Sequence, residues 1–154
     1  TTLAELKPQL ERALGGWRAP AAPKGVKAFT PAPTPAAGRI VLIDRPSSPQ
    51  SVILGGLPLP LKGTDDPLTL NAANEVLGGS FTSRLNTDLR ETKGWSYGVR
   101  SYPNGVREQL AFFVNAPVQT DRTADSLKSL IDGVRLYQGA QPTTPAELSR
   151  MVNS

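Results

Sequence analysis

The stretch GGSFTSRLNTDLRETKGWSYGV, residues 78–99, carries the densest chemical pattern in this chain of 154 residues. It runs from a glycine pair through a charged segment with helical spacing to a Trp-Ser-Tyr-Gly sequence that favours a strand. Arg90 and Tyr97 stand seven residues apart, on either side of the helix-to-strand turn that Gly94 predicts. The passage from helix to strand indicates a mixed α and β fold. It leaves open whether Arg90 and Tyr97 pack in a core or form a site.

The charged segment is predicted to be a helix with one apolar face. Ser80 is a candidate N-cap, and Gly94 is a candidate stop. Arg84 and Asp88 are one turn apart, which predicts an ion pair on the exposed side of the helix. The apolar face is formed by three residues spaced four apart: Phe81, Leu85 and Leu89.

The segments around this stretch alternate in type. Patterns typical of strands lie at 39–44, 50–59, 95–102 and 108–118, and patterns typical of helices lie at 65–77, at 120–137 and from 144 onward. In the last strand, alternate residues form one apolar face: Leu110, Phe112, Val114 and Ala116. Thr144, Pro145 and Glu147 form a capping box at the start of the last helix, and Pro-Asn-Gly at 103–105 predicts a hairpin turn. The order β-β-α-α-β-β-α-α predicts an α+β fold, a two-layer sandwich of a largely antiparallel sheet with helices on one face.

The first 38 residues differ in composition from the rest. Leucines at helical spacing predict a helix over 3–14, although Pro8 interrupts the pattern. Residues 17–38 are rich in proline and alanine, which is typical of an extended linker. We therefore expect 1–16 to be the terminal helix of a preceding domain, 17–38 to be a linker, and 39–154 to be a second domain. The last helix has only about two turns, so we expect that domain to be truncated at its C-terminal end.

The chain contains no histidine and no cysteine. Thiol nucleophiles, imidazole bases and zinc sites built on either residue are therefore excluded. The net charge of +4 raises the alternative of a nucleic-acid-binding module. The 17 lysines and arginines are scattered, however, so a solvated surface is the preferred interpretation. No apolar run approaches the ~18 residues that a membrane span requires.

Spacing alone gives the opening stretch an ordinary structural interpretation. Tyr97 would share a strand face with Trp95 and Val99, as a core tyrosine does. Arg90 would be a solvated arginine on a helix. The glycine pair would be a hinge between helices rather than a phosphate-binding loop, because no Lys-Ser or Lys-Thr follows it. Composition and spacing do not decide between packing and a site.

The same stretch resembles a signature of the pitrilysin/insulysin and mitochondrial-processing-peptidase-like zinc metallopeptidases, the inverzincins. Their non-catalytic half carries Gly-Gly-x-Phe/Ser-Ser-Arg-Leu, followed by Leu-Arg-Glu-x-x-Gly-x-x-Tyr. Residues 78–85 match the first run, with Ser80 where many relatives have glycine, and residues 89–97 match the second. The resemblance extends from LERALGGW at 10–17 to PAELSRMVNS at 145–154, which is nearly the whole chain.

This resemblance implies a role for Arg90 and Tyr97. In the family, one domain binds zinc through His-x-x-Glu-His, and a similar domain without that motif closes over the peptide. Arg90 would donate to a backbone carbonyl of the peptide, and Tyr97 would support the oxygen of the tetrahedral intermediate. The chain would then be the substrate-binding, non-zinc-binding C-terminal half of a two-lobed zinc metalloendopeptidase. It would hold no metal or cofactor itself and would be inactive alone.

The resemblance also implies partners. We expect a catalytic zinc-binding domain, fused upstream or present as a separate subunit, and a peptide substrate, but no nucleic acid. A homo- or hetero-oligomer stays open. The alternative within the family is a structural relative, such as a core subunit of a respiratory complex; Arg90 and Tyr97 argue against it, because a scaffold does not need the pair. We expect a periplasmic or cytoplasmic location, with the periplasm favoured.

Overall fold

The computed structural model describes residues 1–19, 21–22, 25, 28, 30, 33 and 37–153, so the predicted linker falls partly outside the described residues. The helices are α1 (Leu3–Leu14), α2 (Leu68–Asn74), α3 (Arg84–Asn86), α4 (Thr123–Gln138) and α5 (Pro145–Val152), and the strands are β1 (Gln50–Pro58), β2 (Arg100–Val106) and β3 (Gln109–Gln119). Helix α2 continues as a π-helical turn over Glu75–Gly79, α3 continues as another over Thr87–Thr92, and a 3-10 turn over Thr120–Arg122 precedes α4.

The strands form one antiparallel sheet in the order β1-β3-β2. The register places Ile53 opposite Ala116, on the face that the helices cover. It places Arg100 opposite Asn115, on the outer face. One covered face and one open face make an α+β two-layer arrangement, and this confirms the fold class predicted from the order of the elements.

The core lies between the sheet and the helices. Its buried residues come from the helical segments, from β3 and from the residue before β2: Leu77, Leu85, Leu89, Val99, Ala116, Val118 and Leu130. The alternation predicted for β3 is confirmed, because Phe112, Val114 and Ala116 all pack on the helix side. Each buried Leu or Val side chain contributes about 1.5–3 kcal/mol, so this cluster is a main source of the domain's stability.

The strand predicted over 39–44 is wrong. These residues adopt no regular structure, and Ile40 and Leu42 are 79% and 86% exposed. The sequence supplies β propensity, but a strand also requires a hydrogen-bonded neighbour. Within the described part of the chain, β1 pairs with β3 alone, and no strand lies beside 39–44.

Strand β2 starts later than predicted. It begins at Arg100 rather than at Trp95, and the residues before it contribute a single bridge between Ser96 and Val118. Tyr97 therefore lies in a connection and not in a strand.

The hairpin turn after β2 is also displaced. It falls at 107–108, and the Pro-Asn-Gly of 103–105 lies inside β2. Pro103 is tolerated there because β2 is an edge strand of the described sheet, where a missing N–H costs no ladder bond on the outer side.

The helix after the glycine pair begins later than predicted. Ser83, rather than Ser80, is the N-cap residue before α3. The Ser80 hydroxyl instead donates to the Glu75 carbonyl at 3.0 Å. Phe81 consequently lies in the connection and is 60% exposed, rather than on the buried face of a helix.

The predicted ion pair between Arg84 and Asp88 is wrong. Arg84 reaches α5, where its Nε and Nη2 donate to the two carboxylate oxygens of Glu147, each at 2.7 Å. Asp88 instead accepts from the Lys93 Nζ at 2.7 Å and from the Ser129 hydroxyl. A surface pair one turn apart contributes only about 0.2–0.5 kcal/mol, so a bidentate partner on another helix is preferred.

The glycine pair permits close packing of a helix on a strand. A Cβ at Gly78 would overlap the Ser101 Oγ and would lie 2.9 Å from the Ser101 backbone nitrogen. Asn74 fixes Ser101 in this position, because its Nδ2 donates to the Ser101 carbonyl at 2.8 Å and its Oδ1 accepts from the hydroxyl. Glycine is thus required at position 78 because the π-helical turn packs so closely against β2. The sequence analysis predicted a hinge between helices here and not this close contact.

Both terminal helices carry capping boxes. Thr2 and Glu5 cap α1, and Thr144 and Glu147 cap α5 as predicted. Helix α1 buries none of its residues against the described chain. No helix in the described ranges is long and apolar enough to cross a membrane.

Candidate functional site

A short connection before β2 presents Tyr97 to solvent. Gly94 ends the helical segment with a φ of +66°. Ser96 then ties the connection to β3, because its hydroxyl donates to the Pro117 carbonyl and accepts from the Gly98 N–H at 3.1 Å. Between these anchors Tyr97 is 86% exposed, and its hydroxyl makes no hydrogen bond to a described residue. Tyr97 is therefore not a core tyrosine.

Arg90 lies on the preceding π-helical turn, against an aromatic ring. Its Cζ is 4.2 Å from the centroid of the Phe81 ring, within the range of a cation–π interaction. Its Nε is 3.4 Å from the Glu91 Oε1, in an ion pair whose side chains are 33% and 56% exposed. The ring supports one face of the guanidinium and leaves N–H groups at its edge for a ligand.

Arg90 and Tyr97 line one open groove of about 410 Å³, which we term the Arg–Tyr groove. The groove lies between the connection before β2 and the outer face of the sheet. The residues of its lining that bear on binding are Phe81, Arg90, Tyr97, Arg100, Tyr102 and Asn115. The two residues singled out in the sequence thus meet in one site, across the turn that separates them.

A buried asparagine holds the wall of the groove together. Asn86 is 3% exposed. Its Nδ2 donates to the Phe81 carbonyl at 2.6 Å, and its Oδ1 accepts from the Val99 N–H at 2.9 Å. Helix α3 therefore fixes both the loop that carries Phe81 and the residue before β2. A buried amide bonded at both ends rigidifies its surroundings, so the groove is preformed.

The sequence analysis missed several residues of the groove. Phe81 was assigned to a helix face, and Arg100, Tyr102 and Asn115 were not singled out. Strand alternation offered a signal for two of them, because Arg100 and Tyr102 flank Ser101, which is buried on the opposite face. Asn115 comes from the neighbouring strand, and its position depends on a register that the sequence does not specify.

The clearest pKa shifts lie away from the groove, where α3 meets α5. The hydrogen bonds from Arg84 lower the pKa of Glu147 from its ordinary value of 4.5 to about 2, and they raise the pKa of Arg84. The Thr144 N–H and hydroxyl also donate to the Glu147 carboxylate, at 2.8 and 2.9 Å. Neither Arg84 nor Glu147 lines the groove, so this junction is structural.

The donor set does not fit a zinc ion. The sequence lacks His and Cys, and the described residues include no group of three or more acidic side chains placed to share a metal. The chemistry available in the groove is that of guanidinium, phenol and amide groups.

A comparison with protein-family models matches residues 1–154 to the family described as the peptidase M16 inactive domain. The match covers the full sequence, including the stretch at 78–99 and the segments on either side of it.

Curated relatives carry zinc-protease names. The chain is 36% identical over 93 residues to a protein named an uncharacterized zinc protease in Streptomyces coelicolor, covering 60% of this chain and 20% of the relative. It is 31% identical over 94 residues to a similarly named protein of Mycobacterium tuberculosis, covering 61% and 21%. The chain spans about a fifth of the length of the curated relatives it matches.

Two solved structures share the fold. A peptidase M16 inactive domain from Pseudomonas fluorescens aligns with a TM-score of 0.63 and 25% identity, covering 69% of this chain and 26% of that one. A protease from Helicobacter pylori aligns with a TM-score of 0.74 over 99% of this chain and 37% of that one, at 17% identity. The second likeness concerns the fold alone.

Proposed function

This chain belongs to the peptidase M16 inactive-domain family, and from that premise we propose that it is the substrate-binding, non-catalytic half of a two-lobed zinc metalloendopeptidase. The family predicted from residues 78–99 is confirmed. In the proposal, a second domain, in the same polypeptide or in a separate subunit, supplies the zinc ion that activates water. The observation that carries the proposal is the placing of Arg90 and Tyr97 in one open groove.

Arg90 donates to a backbone carbonyl of the bound peptide. Its guanidinium is planar, and the Phe81 ring holds it from one side at 4.2 Å. A planar fork of donors fixes the direction of the carbonyl as well as its distance. Arg90 therefore orients the peptide rather than only attracting it.

Tyr97 donates its phenol hydroxyl to the oxygen that gains charge when the peptide carbonyl is attacked. The phenol is neutral, so it stabilises that oxygen without adding a charge that would also bind the ground state. Its anchored backbone and its 86% exposure make the hydroxyl available to a peptide held between the two domains.

The test of this proposal is Tyr97→Phe in the domain combined with its zinc-binding domain. The variant should fold, keep its zinc and lose about 100- to 1000-fold in kcat/KM, because one transition-state donor is removed. Tyr137→Phe is the matched control: it deletes a hydroxyl that donates to the Ala73 carbonyl at 2.8 Å, outside the groove, and should leave turnover of folded protein intact. Wild-type turnover in a folded, zinc-loaded Tyr97→Phe protein would contradict the proposal, because Tyr97 would then give no support to the transition state.

A further inference from the structure

We propose that Arg100 selects peptides that carry a carboxylate, an inference that rests on the proposed function of the Arg–Tyr groove. Arg100 is the first residue of β2, its side chain is exposed, and it lies opposite Asn115 on the outer face of the sheet. It makes no ion pair with a residue that the structure describes, whereas Arg84 and Arg90 each have a carboxylate partner. Its charge is therefore uncompensated within the described protein.

The Arg–Tyr groove carries two cations and no acid in its described lining. Arg90 and Arg100 both line it, and none of the lining residues is Asp or Glu. Glu91 pairs with Arg90 at 3.4 Å, but its side chain is 56% exposed and lies outside the lining. An exposed pair of this kind is weak, so it does not neutralise the groove. The groove consequently attracts an anionic group.

The backbone on both sides of Arg100 is held by hydrogen bonds. On one side the Val99 N–H donates to the Asn86 Oδ1 at 2.9 Å, and on the other the Ser101 carbonyl accepts from the Asn74 Nδ2 at 2.8 Å. Val99 and Ser101 are each 1% exposed. A free side chain on a fixed backbone loses less conformational freedom when it binds a ligand than one on a mobile loop. This arrangement favours selective binding.

A guanidinium recognises a carboxylate through two parallel N–H···O hydrogen bonds. On a peptide, the carboxylate is either the side chain of Asp or Glu or the C-terminal group. Tyr102 and Phe113, whose ring centroids are 5.8 Å apart, give an apolar surface on the same face of the sheet. That surface suits the methylene groups of an acidic side chain. The ligand group that we expect is therefore a carboxylate attached to a short apolar segment.

The test measures kcat/KM of the domain combined with its zinc-binding domain on matched peptides. One set places Glu, Gln or Lys at single positions around the scissile bond, and another exchanges a C-terminal acid for an amide. The wild type should prefer the acidic member of one pair by about tenfold, and the pair that responds identifies the source of the carboxylate. Arg100→Gln should abolish this preference, and Arg100→Glu should replace it with a preference for Lys over Gln. Arg135→Glu, the same charge change at an exposed position on α4, should keep the wild-type preference.

Two results would overturn the inference: equal rates on every pair in the wild type, or an unchanged acidic preference in Arg100→Glu. Tyr97→Phe, assayed on neutral peptides, separates these from failure of the proposed function. If Tyr97→Phe loses activity while the Arg100 variants keep the wild-type preference for acidic peptides, only the inference fails. If Tyr97→Phe keeps full activity, both fail. Thermal melting checks folding, and the Arg100 variants should melt with the wild type because the side chain is exposed.

Discussion

Two arginines on one helical run, Arg84 and Arg90, have opposite surroundings. The Arg84 guanidinium uses four of its five N–H groups within the fold. Two donate to Glu147, and one each donates to the carbonyls of Gln141 and Pro142. Its Cζ lies 5.2 Å from the centroid of the Tyr137 ring. Its side chain is 26% exposed. These contacts bind α3 to α5 and to the segment before it, so Arg84 holds the fold together.

The Arg84 guanidinium is surrounded by protein acceptors, whereas the Arg90 guanidinium borders an open groove. Arg90 has the Phe81 ring on one face, one exposed partner in Glu91, and the Arg–Tyr groove in front of it. An arginine whose donors are used within the fold stabilises the fold, whereas one with donors directed into a groove can bind a ligand. The two arginines lie six positions apart in a family signature, and we propose that the first stabilises the fold and the second binds substrate.

The largest effect is expected when Arg90 is removed. Arg90→Ala in the combined domains should lower kcat/KM by about 100- to 1000-fold, spread over KM and kcat, because the peptide loses a donor that both binds and orients it. The melting temperature should change little. Steady-state kinetics and calorimetry on the same samples measure both, and Arg135→Ala on α4 is the control for loss of an exposed arginine. A large loss of stability with normal kinetics would show that Arg90 stabilises the fold, as Arg84 does.

Arg84→Met should give the opposite result. Glu147 would lose its bidentate partner while remaining 14% exposed, and we expect the free energy of unfolding to fall by about 2–3 kcal/mol. Turnover of the folded fraction should be normal. Urea unfolding of Arg84→Met, Glu147→Leu and the double variant gives the coupling energy. If the double variant loses the full sum of the single losses, Arg84 and Glu147 are not coupled and the structural role of Arg84 is wrong.

Acid should weaken this junction within a defined range of pH. The pKa of Glu147 is lowered from 4.5 to about 2 in the folded protein, so the carboxylate is ionised in both states at pH 7 and its contribution is complete. Below pH 4.5 the Glu147 carboxylate becomes protonated in the unfolded chain but stays ionised in the folded protein. The free energy of unfolding therefore falls as the pH is lowered, until the pH reaches about 2. At pH 3 the loss is about 2 kcal/mol.

Urea unfolding between pH 7 and pH 3 measures this loss. Glu147→Gln should lack the Glu147 component of the pH dependence. Glu91→Gln removes the same charge from an exposed pair and should keep the wild-type slope. Parallel curves for the wild type and Glu147→Gln would show that the junction does not shift this pKa.

Local signals predicted most of the fold, and the largest errors concern contacts between residues far apart in the sequence. The capping box at Thr144, the alternation in β3 and the stop at Gly94 depend on residues within a few positions, and all three predictions are confirmed. The partner of Arg84 is 63 residues away, and the strand predicted at 39–44 has no neighbour among the described residues. No spacing rule reaches such distances.

The residues of the Arg–Tyr groove were also only partly predictable from local sequence signals. Arg90 and Tyr97 were identified through a family resemblance, because their spacing alone favoured an ordinary structural interpretation. Arg100 was accessible through strand alternation once the boundary of β2 was known. The contact between Phe81 and Arg90 depends on where α3 begins, and the helix was predicted to follow Ser80, whereas its N-cap is Ser83.

The smallest change in stability and activity is expected when the Glu91 carboxylate, the exposed partner of Arg90, is removed. The Arg90 Nε and Glu91 Oε1 are 3.4 Å apart, with both side chains partly in solvent. Glu91→Gln should therefore change the free energy of unfolding by less than about 0.5 kcal/mol. Because Arg90 loses a competing acid, KM for a peptide should fall by about twofold at unchanged kcat. A rise in KM would instead assign Glu91 to orienting Arg90. A loss of stability as large as that of Arg84→Met would mean that the fold holds both arginines in the same way, and the division between them would disappear.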